Sequence, residues 1–209
     1  GAGSMNEPTP SVQDDLAFMR ALAAGGGTSF LRNFGEIYLA TGLCYGVQML
    51  GHATQLAFGW FTEPLAALIL GFGPTFIVVT LIFWLNWRRR NDHTASTAAK
   101  AVGAMFGAVG VANIVMVAVV GLQAWRMQNI QGWLIYPCIV MAFQGAAWMA
   151  AWTLRRRGWM GLVGAGWFVT AIAMGAFIPD LPSYLLALFA GLMLCMVLPG
   201  YAMMRTFRA

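Results

Sequence analysis

Six apolar stretches follow one another along this chain, near residues 37–58, 65–84, 101–124, 132–154, 159–178 and 184–204. Each is about the twenty residues that a helix needs to cross a bilayer. A chain built this way has few options. Hydrocarbon offers no partner to a backbone N–H or C=O, so each stretch must satisfy its own hydrogen bonds as a helix. The pattern predicts an all-α integral membrane protein with six transmembrane helices, arranged as one bundle or as three repeated hairpins. Composition agrees: of the 209 residues, 60% are hydrophobic and 9% charged, whereas a soluble globular domain carries about 25% charged residues.

The basic residues set the threading. Arg88-Arg89-Arg90, Arg155-Arg156-Arg157 and the pair Arg205/Arg208 each close an apolar stretch. With Arg20, Arg32 and Lys100 they place eleven of the twelve basic residues on one side, and only Arg126 on the other. Loops rich in Lys and Arg stay cytoplasmic. The expected location is a bacterial-type inner membrane, with both termini in the cytoplasm. Trp60, Trp125 and Trp133 border the outer turns, and Trp84, Trp87, Trp152 and Trp159 border the arginine runs, where an amphipathic indole is half buried and its N–H is wet. Trp148 and Trp167 lie deeper than this belt.

Ahead of the spans, residues 1–10 are expected to be a tag remnant (Gly1 to Ser4) followed by a disordered start. Residues 11–27 read as an interfacial amphipathic helix closed by a glycine joint. Ser11 is its N-cap, Asp14 and Asp15 sit where the helix dipole favours negative charge, and Val12, Leu16, Met19 and Leu22 form its apolar side. The alternative for this segment is a disordered tail. Residues 28–209 form the transmembrane domain, whose first span is expected to act as its own insertion signal.

Small-residue steps recur at Gly42/Gly46, Gly103/Gly107 and Gly161/Ala165, and steps of this kind let membrane helices approach closely. They are the basis for a threefold hairpin repeat. Pro74 and Pro199 fall inside the second and sixth spans, where each removes a backbone hydrogen bond and favours a kink.

The first span is the most polar. Thr41, Tyr45, Gln48, His52 and Gln55 are spaced 4, 3, 4, 3, which puts them on one stripe of a single helix. Asn113, Gln144 and Thr170 lie mid-span in later helices, and Trp148 is one turn from Gln144. Two readings follow. In one, Tyr45, Gln48, His52, Gln55, Asn113 and Gln144 line a pocket with Trp148 and Trp167 as apolar walls, and the protein binds or transports a small lipophilic or amphipathic molecule. In the other, the polar side chains join helices to one another and the protein is a non-catalytic scaffold or regulatory subunit. His52 is the one histidine well inside the bilayer, and its expected part is a hydrogen bond between helices.

Several classes are excluded. The charge of +5 is confined to segment ends with no aromatic-interleaved basic face, so nucleic acid is not an expected partner. Cys44, Cys138 and Cys195 all fall in apolar segments and read as packing residues, with no metal-ligand spacing. A haem held by two axial histidines does not fit, because His93 lies in the loop beside Arg90 and Asp92, so no cofactor is expected. No nucleophile, zinc or phosphate-loop motif is present, and an enzyme is not expected. The expected partners are the lipid bilayer, a small lipophilic ligand, and a second copy or another membrane protein.

Overall fold

The computed structural model of the protein describes residues 27–88 and 97–206. Among these residues all regular structure is helical. The helices are α1 (Gly27–Phe58), α2 (Pro64–Arg88), α3 (Thr97–Met127), the single turn α4 (Ile130–Trp133), α5 (Ile135–Arg155), α6 (Gly158–Ala176), α7 (Leu181–Leu192) and α8 (Leu198–Thr206). The π turn Met193–Val197 joins α7 to α8 as one continuous rod. The expected amphipathic segment at 11–24, the segment with Arg89, Arg90 and His93 that is expected to be cytoplasmic, and Arg208 lie outside the described residues.

Among the described residues five segments are long and apolar enough to cross a membrane: Pro64–Arg88, Ala99–Met127, Gln131–Arg155, Gly158–Ala176 and Leu181–Arg205. The expected first span is not one of these five, although α1 is the longest helix at 32 residues. The reason is its own sequence. The helix is long enough, but Thr41, Tyr45, Gln48, His52 and Gln55 dilute the hydrophobicity of its apolar stretch.

The tightest part of the bundle is made by α1, α5, α6 and the α7–α8 rod. Glycines set the spacing there. A Cβ on Gly200 would stand 2.7 Å from the amide nitrogen of Leu39, and one on Gly35 would stand 2.9 Å from the Gly200 carbonyl oxygen. The α5–α6 crossing is alike: Cβ atoms on Gly145 and Gly164 would each lie 3.1 Å from the other residue's carbonyl oxygen. Backbone meets backbone at both places, which is how membrane helices gain dispersion contact without a hydrophobic driving force. The three small-residue steps are not equivalent. Gly42 and Gly46 face Met196, Val197 and Met193 on the rod and Gly161 faces Trp152, but Gly107 has nothing within 4 Å of the place its Cβ would take.

The two prolines are accommodated differently. The ring of Pro199 would clash with the carbonyl of residue 195 in a regular helix. Here the Leu198 amide donates five residues back, to Met193, and the wider π turn makes the room. Pro74 stays inside a continuous α2.

The long helices alternate in direction, so Arg32, Arg88, Lys100, Arg155, Arg156, Arg157 and Arg205 all lie at the same end of the bundle. Phe34 of α1 packs on Phe106 of α3, Gly35 packs on Gly200, and Gly161 on Trp152. At the opposite end the Tyr184 hydroxyl donates to the Leu134 carbonyl at 2.8 Å. There α3 turns into α4 through Gln128, which has a positive φ of 51°. Helices α2 and α3 are peripheral. Their outward sides expose Phe72, Phe76, Phe83 and Trp87 on α2 and Val111, Ile114, Val115 and Trp125 on α3. Such faces suit lipid and not water.

Candidate functional site

The stripe on α1 is real, and the structure extends it by one turn. Tyr38, three residues before Thr41, lies on the same face and is buried. Its hydroxyl oxygen accepts two hydrogen bonds, from the Trp148 indole N–H at 2.7 Å and from the Trp167 indole N–H at 2.9 Å. The two indoles come from α5 and α6 and are among the most buried side chains, at 1% and 0% exposure. Neither N–H is left unpaired, the condition for burying a tryptophan whole. One oxygen on α1 therefore ties three helices together. Phe34, Phe106 and Trp159 surround Trp148 with ring centroids at 5.9, 5.6 and 5.4 Å. Phe34 and Tyr38 stack at 5.3 Å.

The middle of the stripe turns to α2. Pro74 has no N–H, so the carbonyl four residues earlier, on Leu70, loses its helical donor. Gln48 supplies one. Its Nε2 donates to the Leu70 and Gly71 carbonyls, both at 3.0 Å. Around this clamp the Cys44 thiol points to the Pro74 carbonyl oxygen at 3.6 Å, and the Tyr45 hydroxyl pairs with Thr75 Oγ1 at 3.3 Å. A neutral carboxamide donor is well suited to this place, since the acceptors sit in an apolar helix pair where an unpaired carbonyl is costly.

The C-terminal end of the stripe braces a turn. His52 Nδ1 pairs with Gln55 Oε1 at 2.8 Å, and Gln55 Nε2 donates to the Phe61 carbonyl at 2.8 Å. Phe61 has φ +58° and Gly59 φ +67°. A left-handed conformation at a bulky residue costs on the order of 1–3 kcal/mol, and the Gln55 bond helps to hold it. The expected bond of His52 between helices is replaced by one to its own helix, because its neighbours on that face are Gln55 and the turn.

The eight residues expected to line one pocket thus fall into separate places. Trp148 and Trp167 meet at Tyr38. Tyr45 and Gln48 meet at the α2 break. His52 and Gln55 meet at the turn that follows α1. Tyr38 and His52 are fourteen residues apart on one continuous helix, roughly 21 Å at 1.5 Å per residue, so Trp148 and His52 do not face a common space. Asn113 and Gln144 lie on the adjoining helices α3 and α5, and Asn113 Oδ1 and Gln144 Oε1 are buried without a hydrogen-bond partner. Thr170, also singled out by its depth, is buried and donates to the Gly166 carbonyl of its own helix at 2.8 Å.

Tyr38 was not among the residues picked out in the sequence, yet the signal was there. The 3, 4 spacing of the stripe continues inward from Thr41 to Tyr38 and then to Phe34. A recess of about 440 Å³ lies elsewhere, on the outward side of α2, where it is open and lined by Phe76, Ile77, Thr80, Leu81 and Trp84. No three of the His, Cys, Asp and Glu side chains among the described residues gather as a metal-binding group.

Among the described residues the architecture is all-helical, with apolar helices compatible with a lipid bilayer. Comparison with protein-family models, with curated proteins and with solved structures finds no match for this chain.

Proposed function

We propose that this is a six-helix inner-membrane protein that acts as a non-catalytic scaffold or regulatory subunit. In this reading α1 is the sixth crossing, and its polar stripe is shielded by α2, α5, α6 and the α7–α8 rod. Both termini and the gathered arginines lie in the cytoplasm, by the positive-inside bias. The observation that carries the scaffold reading is the Tyr38 hub. The aromatic side chains expected to wall a pocket are spent on joining α1, α5 and α6, and the polar stripe is spent on α2 and its turn. A rigid centre with two peripheral helices, both apolar on the outside, fits a part that holds membrane neighbours in place better than one that encloses cargo.

Two experiments test this reading. A reporter fused after Ala209 should be active only in the cytoplasm, and one inserted beside Asp180 only outside; the reverse pattern sinks the topology. Native mass spectrometry of the purified protein should release phospholipid alone. A stoichiometric small molecule that is lost in Trp148→Phe would overturn the scaffold reading in favour of ligand binding or transport.

A further inference from the structure

The recess on α2 is a shallow, open notch between side chains of one helix, with a charge at one end. Thr80 is one turn from Phe76 and one turn from Trp84, so two large rings flank a small side chain. Ile77 and Leu81 complete the lining. The notch is apolar and open to the outside of the bundle, on a helix that packs chiefly on α1. One turn beyond Trp84 stands Arg88, whose guanidinium carbon lies 5.4 Å from the centre of the Trp84 ring. Stacking occupies the face of the guanidinium and leaves its N–H edge free to donate. Among the described residues no carboxylate lies within ion-pairing distance of Arg88. From Phe76 to Arg88 is twelve residues, roughly 18 Å along the helix, a length on the scale of one extended acyl chain.

We propose that this groove is a binding site for an anionic phospholipid. One acyl chain lies across Thr80 between Phe76 and Trp84, and the phosphate is held by the Arg88 edge. Charge complementarity selects the occupant. A zwitterionic lipid fits the notch equally well but brings a cation to a guanidinium, whereas an anionic one brings net negative charge to a cluster of basic residues at that end of the bundle. The site rests on α2 crossing the membrane and not on the scaffold reading, so it stands or falls separately from it.

The test is native mass spectrometry of the full chain in a mild detergent, titrated with phosphatidylglycerol and with phosphatidylcholine of the same acyl chains. The expected result is several-fold tighter retention of phosphatidylglycerol. Arg88→Gln should cut that preference about fivefold, the equivalent of about 1 kcal/mol for one basic residue near a membrane surface. Thr80→Trp, which fills the notch, should weaken both lipids and leave the headgroup preference standing. Both positions point away from the core, and unchanged helical content and unfolding midpoint will show that the variants fold. Equal retention of the two lipids means only a general lipid annulus and overturns the proposal. So does a phosphatidylglycerol preference that survives Arg88→Gln, or binding that ignores Thr80→Trp.

Discussion

Tyr38→Phe is the sharpest test of the hub. The change keeps the ring and removes one oxygen, so it opens almost no cavity. It leaves the indole N–H groups of Trp148 and Trp167 without their acceptor, at positions 1% and 0% exposed. An orphaned buried donor costs about 1–3 kcal/mol, and hydrogen bonds between membrane helices average about 0.6 kcal/mol. Two donors at the low end of this range give about 2 kcal/mol, roughly a thirtyfold fall in the ratio of folded to unfolded protein. The assay is reversible unfolding by SDS in mixed micelles, followed by circular dichroism. A double-mutant cycle sharpens it. In a Trp167→Phe background only the Trp148 N–H is orphaned, so the same Tyr38→Phe step should cost about half as much. If Tyr38→Phe stays within about 0.5 kcal/mol of the parent, the range of an ordinary surface change, the hub carries no weight. The same conclusion follows if the cost is equal in both backgrounds.

The remaining expectations follow from the same geometry. Gln48→Leu should destabilise by about 1–2 kcal/mol and raise hydrogen exchange in α2 around residues 70–75. Pro74→Ala should offset much of that loss, because it returns an N–H to the Leu70 carbonyl; strict additivity of the two changes would refute the clamp. Gly200→Ala should cost about 1–3 kcal/mol by overpacking, since its Cβ meets the backbone of α1. Gly107→Ala, which meets nothing within 4 Å, should be neutral or mildly stabilising in the same unfolding assay. His52→Leu should loosen the turn at Gly59 and Phe61, seen as faster proteolysis there, while the midpoint of core unfolding stays near the parent value.

Much of the fold was legible in the chain because its signals are local. Helix length and apolarity follow from what hydrocarbon demands of a backbone, and most of the described helices begin and end close to the stretches marked out by composition, although α1 starts at Gly27, ten residues ahead of its stretch. The observed α6 is Gly158–Ala176 where the stretch runs over 159–178, and α2 is Pro64–Arg88 where it runs over 65–84. The 4, 3, 4, 3 spacing placed the polar stripe on one face for the same reason, since helical periodicity alone decides it. What each side chain on that stripe meets is a different matter. Periodicity cannot say how far one helix slides along the next, so Trp148 appeared to share a level with His52, whereas the packing sets it beside Tyr38, fourteen residues away.

Tertiary structure alone decided the rest. It paired Gln48 with carbonyls that Pro74 set free on another helix, it selected Gly35 with Gly200 and Gly145 with Gly164 from 25 glycines, and it left Gly107 open. Those outcomes depend on where two surfaces first come into full contact. Lipid is as apolar as the helices it surrounds, so burial of hydrophobic area does not choose between pairings. Shape fit and the need to satisfy each buried donor choose instead, and both are properties of two helices at once.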